Sequence, residues 1–172
     1  MKTSIALAAV LVLIAAPRLV QAAPSAGHCA AAPYHQLDFW LGDWDTFDVG
    51  IKESSQARNH VTRILGGCVI HERYVSNHGM VGESFSIYDA ARKLWHQTWV
   101  TNDGHLLVLE GGMRDGRVVL EGNDRDAHGK PVTLRAWWWP VAGGVRERSM
   151  MSGDGGKSWK MQFDIVFRPH TP

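Results

Sequence analysis

The chain has 172 residues, 45% hydrophobic and 20% charged, with 18 glycines and 8 tryptophans. A disordered chain carries fewer aromatics and more net charge, so that class is excluded. Eighteen Lys and Arg nearly balance 17 Asp and Glu, which removes the basic footprint of a nucleic-acid binder.

In chain order, Met1-Lys2 precedes an uninterrupted run of Ile, Ala, Leu and Val from Ile5 to Ala16. These 12 residues are too few to span a bilayer, which takes roughly 20. Pro17 breaks the run, and Val20-Gln21-Ala22 offers tolerated residues at the −3 and −1 positions of a cut after Ala22. Residues 1–22 are therefore read as a signal peptide, which makes the product periplasmic or secreted. Loss of Lys2 and Arg18 leaves 16 basic against 17 acidic residues. No later stretch is long and apolar enough for a membrane span. Two cysteines cannot build a four-cysteine zinc site. In an oxidising compartment Cys29 and Cys68 are expected to pair. Closing a loop of about 40 residues contributes roughly 3–4 kcal/mol. The alternative is two free or buried thiols, and neither cysteine lies in a Cys-x-x-Cys redox motif.

A short helical turn is expected around Tyr34 to Trp40. Beyond it, runs rich in Val, Ile, Trp and Phe alternate with Gly, Asp and Asn clusters. They predict strands near 43–49, 58–66, 68–76, 81–88, 94–101, 105–113, 117–122, 131–139, 145–151 and 159–168. Asn102-Asp103-Gly104, Asp115-Gly116 and Ala142-Gly143-Gly144 supply the positive-φ residues that tight hairpins require. In the last run Trp159, Met161, Phe163, Ile165 and Phe167 fall on one face by period two, with Lys160, Gln162 and Asp164 on the other. Ser152-x-Asp154-x-Gly156-x-Ser158-Trp159 before it resembles the Asp-box hairpin of some propeller enzymes, and a single copy implies a turn braced by its Asp and Ser side chains, not a propeller. No linker divides residues 33–170, which are read as one all-β domain. So many hairpin-linked strands must hide two sheet edges, and closure into an antiparallel up-and-down β-barrel of about ten strands does so. An open sandwich is the alternative.

Leu37-Asp38-Phe39-Trp40-Leu41-Gly42-Asp43-Trp44-Asp45 resembles the opening of an uncharacterised family of small exported bacterial proteins. The resemblance continues through Gly67-Cys68-Val69-Ile70-His71-Glu72, Tyr88-Asp89, Lys93 to Val100 and Asp154 to Trp159. That family is similar in turn to lipocalin-like calycin barrels, whose first strand opens Gly-x-Trp. Thr46 stands where the resemblance leads one to expect an aliphatic residue. The resemblance implies export and a barrel, with Trp44 plugging one end beneath a late arginine, here Arg168. It implies no activity.

None of the nine histidines falls into a metal-ligand spacing, so no metal and no cofactor is expected. In the third strand Ile70, Glu72 and Tyr74 share a face opposite His71 and Arg73. An inward Glu72 needs a partner or a raised pKa. It is read either as a ligand anchor and acid/base group, or as half of a structural ion pair with Arg135, Arg146 or Arg148. Trp95, Gln97 and Trp99 share a face beside the small residues Gly82, Ser84 and Ser86. That combination either leaves room for a flat guest or fills around bulky indoles. Tyr88 and Trp137 complete the expected ligand-contacting set, and His71 and His96 are the weaker acid/base candidates beside Glu72. The function expected is binding of a small apolar or aromatic molecule in an aromatic-lined cavity. The alternatives are an enzyme using that cavity and a fully packed structural barrel.

Overall fold

Every predicted apolar run becomes a strand in the computed structural model of the chain, which describes residues 28–50 and 55–171. The signal-peptide segment and its cut after Ala22 lie outside the described residues. The strands are β1 (Gly42–Asp48), β2 (Ala57–Ile64), β3 (Val69–Ser76), β4 (Val81–Asp89) and β5 (Leu94–Thr101), followed by β6 (Leu106–Arg114), β7 (Arg117–Arg125), β8 (Pro131–Val141), β9 (Gly144–Ser152) and β10 (Lys160–Pro169). Each pairs antiparallel with the next, and β1 closes on β10, with Trp44 opposite Pro169 and Asp48 opposite Ile165. The ring is closed, so neither sheet edge is left to template aggregation, and the sandwich alternative falls. β7 runs three residues further than its sequence suggests: Asn123 and Asp124 look like turn residues but pair with Thr133 and Val132. The turn between β6 and β7 is made by Asp115 and Gly116, both at positive φ (49° and 74°), the conformation that a type I′ hairpin demands.

Period two sets the walls. Ile70 and Glu72 are buried, whereas His71 and Arg73 pair with Glu83 on the outer surface. On β10 the expected alternation fails at one point. A bulge between Met161 and Phe163 sets Met161 opposite Met150 and Phe163 opposite Ser149, leaving Gln162 as the extra residue. Met161 consequently stands outside, 59% exposed, while Phe167 stays in the core. The turn before β10 is braced as expected. Ser158 donates through its hydroxyl to Asp154 Oδ2 (2.6 Å) and through its N–H to Oδ1 (2.9 Å), and these bonds hold the carboxyl down to about 2.

One end of the barrel is capped by the segment before β1, which makes 3₁₀ turns over Ala32–His35 and Asp38–Trp40. Leu37 and Trp40 are buried beneath it, with the Trp40 ring 5.9 Å from Trp138 and 6.1 Å from Phe167. Trp95 Nε1 donates to Gln36 Oε1 (3.0 Å), and Arg63 reaches both the Tyr34 carbonyl (2.7 Å) and the Asp38 carboxylate. A disulfide joins Cys29 to Cys68, just before β3, across a sequence separation of 39 residues. Trp44 is tied to this cap, donating to the Trp40 carbonyl (2.9 Å). Arg168 does not cover it: the arginine is exposed and lies opposite Asp45, a residue out of phase with the inward Trp44. Thr46 is buried and offsets its hydroxyl by donating to the Ala57 carbonyl (3.3 Å).

Candidate functional site

The cap fills only the lower part of the barrel. Above it lies a cavity of about 370 Å³, within the 300–1,000 Å³ usual for small-molecule sites. Its walls are mostly apolar: Trp99, Leu107, Leu109, Leu134, Trp138 and Ile165. Its rim carries Asp48, Met80, His105 and Asp124, which stand at the strand ends and hairpins remote from the cap. Across this rim His105 Nε2 lies 3.1 Å from an Asp124 carboxylate oxygen.

Two glutamates face this largely apolar cavity, Glu72 buried and Glu147 half-buried. Glu72, 6% exposed, accepts from Asn59 Nδ2 at one oxygen (2.9 Å) and from Ser84 Oγ at the other (2.7 Å). Removal from water raises its pKa to about 7, although both hydrogen bonds favour the charged form. No arginine among the described residues reaches it. Arg135 pairs with Glu121 (2.8 Å), and Arg146 and Arg148 both grip Asp164 (2.6 and 2.7 Å). The structural Glu–Arg pair is therefore overturned, because the arginines occupy the outward phase of β8 and β9.

Glu147 is the second carboxyl, on β9 between those two outward arginines, and it also faces the cavity. Burial raises its pKa well above the usual carboxylate range, and the charge of Glu72 raises it further. Its cross-strand neighbour is Trp138. The Trp138 indole N–H favours the ionised form of Glu147 but makes no hydrogen bond of normal geometry and remains without an acceptor. Two carboxyls facing one cavity titrate as a pair, so ionising either one makes the other harder to ionise.

The other expected site residues divide. Glu72, Gln97 and Trp99 line the cavity together. Gln97 donates to Ser86 Oγ (3.1 Å). Trp99 lies directly over Gly82, where an added Cβ would sit 2.2 Å from its ring. The small face of β4 is thus used to seat an indole and to supply hydroxyls, and the open space lies elsewhere. Trp95 and Tyr88 are corrected to the capped end: Trp95 is wholly buried, and Tyr88 packs edge-on against both Trp95 and Tyr34. Trp137 is corrected to the outer wall, where it lies near Arg135 (5.9 Å), because in the run of three indoles it is Trp138 that turns inward. His71 and His96 are likewise outside, bonded to Glu83 (3.0 Å) and Glu110 (2.8 Å), so neither reaches Glu72 across the cavity.

Sequence reasoning missed Glu147, Asn59 and the acidic rim. The signal for Glu147 was present in β9: Val145, Glu147, Ser149 and Met151 share one phase, and Arg146 and Arg148 the other. Among the described residues no group of three or more His, Cys, Asp or Glu is arranged to hold a metal ion. No helix among them is long and apolar enough to cross a membrane. No protein-family model matches the chain, and no curated protein matches it.

Proposed function

We propose that the chain is an exported binding protein that holds a small apolar or aromatic molecule inside its barrel. The observation that carries this reading is the cavity of about 370 Å³, open at the uncapped end and walled by leucines and indoles. A barrel serving only as a structural plug would fill that space with side chains. Export is supported by the signal-like segment and by the Cys29–Cys68 disulfide, which suits an oxidising compartment. The resemblance to small exported lipocalin-like proteins points the same way.

N-phenyl-1-naphthylamine, a neutral apolar fluorophore, tests the reading. The protein should take up one equivalent with enhanced fluorescence. Ala136→Trp, which fills the cavity from β8, should abolish uptake while the far-ultraviolet circular dichroism stays that of a β-barrel. Absence of uptake by the unsubstituted protein contradicts the proposal.

A second reading rests on the paired glutamates. With carboxyl pKa values raised by burial, to about 7 at Glu72, Glu72 and Glu147 are equipped for proton transfer to a bound molecule. A ligand recovered chemically unchanged after prolonged incubation favours binding; conversion that stops in Glu147→Gln favours catalysis.

A further inference from the structure

We infer that the ligand is a small organic cation, an amine or quaternary ammonium on an aromatic or apolar body, with its positive centre against Glu147 and Glu72. This assignment rests on the cavity being a binding site and names the chemistry that the site selects.

The charges facing the cavity run one way. From β1 comes Asp48, from β3 Glu72, from β7 Asp124 and from β9 Glu147, with the Tyr74 phenol beside them kept neutral by burial. The one basic side chain among the described lining residues is His105, which is already engaged with Asp124 at the rim. No lysine or arginine among them faces inward. The neighbours of Glu147 on its own strand, Arg146 and Arg148, are committed to Asp164 on the outer wall.

Uncompensated carboxyls in an apolar interior are costly. A neutral guest would need only the amide of Gln97 and would leave that cost in place. A bound cation removes it, because it supplies the counter-charge that the fold omits. The surroundings suit such a guest in a second way. Trp99, Trp138 and Tyr74 line the same space, and aromatic faces attract ammonium groups, most strongly where water is excluded. The Glu147 carboxyl faces the cavity with only the poorly placed Trp138 indole N–H beside it, so a cation meets an acceptor that the protein leaves largely free.

Phenyltrimethylammonium and its neutral isostere tert-butylbenzene, titrated into the full chain by calorimetry, isolate the charge. The cation cannot lose a proton, so any pH dependence belongs to the protein. Since Glu72 titrates at about 7 and burial holds Glu147 well above the ordinary carboxylate range, the cation should bind at least roughly tenfold more tightly at pH 8 than at pH 5 and release protons as it binds. The isostere should bind more weakly than the cation at pH 8, with no such gain. Glu147→Gln should weaken the cation at least roughly tenfold at pH 8; the pH dependence of the unsubstituted protein tests the same point without relying on a variant that folds. Equal affinities, or binding of tert-butylbenzene alone, would overturn the cation assignment and leave the apolar binding reading standing. Binding of neither probe, together with failure to take up the neutral fluorophore, would overturn both.

Discussion

Glu72 on β3 and Glu147 on β9 line one cavity, and no inward lysine or arginine among the described residues neutralises them. Glu72 is held by two neutral donors, the Asn59 amide and the Ser84 hydroxyl, whereas Glu147 has only the poorly placed Trp138 indole N–H. This difference makes Glu72 the first of the two to ionise and Glu147 the group that retains a proton. Stability, ligand chemistry and pH response all follow from it.

Stability should fall as pH rises toward and past neutrality. Glu72 titrates at about 7 in the fold against 4.5 when unperturbed. Between those values the folded state binds more protons than the unfolded chain, so the contribution is full below the unfolded value and is lost as pH climbs through the folded one. The loss from this group is about 3 kcal/mol. Asp164 acts in the opposite sense at acid pH: burial opposes its ionisation, yet Arg146 and Arg148 hold it below its ordinary value. Urea unfolding from pH 5 to pH 8 should show the decline, and Glu72→Gln should flatten it.

Ser84→Ala should cost more at pH 8 than at pH 5. It removes the 2.7 Å donor to Glu72 Oε2, and a buried carboxylate deprived of a donor loses about 1–3 kcal/mol. The protonated acid at low pH needs that donor less. Equal losses at both values would show that Ser84 contributes by packing alone.

Replacing both Cys29 and Cys68 by alanine should destabilise the folded chain by about 4 kcal/mol, on the chain-entropy argument for so long a loop. The bridge ties the cap to the start of β3 across 39 residues, so hydrogen exchange should quicken first around Leu37 and Trp40. Peptide mapping without reductant reports the bond directly.

Neighbouring tryptophans should behave differently on truncation. Trp138 is buried between the Trp40 ring and the cavity, so Trp138→Ala should cost about 3–5 kcal/mol and alter ligand affinity. Trp137, on the outer wall near Arg135, should cost about 1 kcal/mol and leave affinity unchanged. Chemical denaturation and fluorophore titration of the two variants check the pair.

Most of the architecture was legible in the sequence because turns and period two are local signals. Asp115-Gly116 announces its hairpin, and Ile70-x-Glu72 announces its face. Phase was lost wherever a strand shows no polarity contrast. Trp137-Trp138-Trp139 offers three indoles and no sign of which is inside, and only the register with Glu147 and the cap's Trp40 settles it. The bulge at Gln162 was invisible for a related reason: it follows from the fit of β10 onto β9, not from β10 itself. At the site, Glu72 was legible as an inward carboxyl, but its partners were not. Arg146 and Arg148 attract attention as counter-charges, while Asp164, which receives them, lies on the adjacent strand, a pairing that becomes visible only once the register is known.

Carbon-detected NMR titration of the glutamate side-chain carboxyls, with Glu72→Gln and Glu147→Gln for assignment, tests the central claim most directly. Glu72 should titrate at about 7 and Glu147 above the ordinary carboxylate range. Deletion of the Glu72 charge should lower the Glu147 midpoint, and saturating phenyltrimethylammonium should lower both. Midpoints for both residues near 4.5 in the empty protein, unmoved by the cation, would contradict the account.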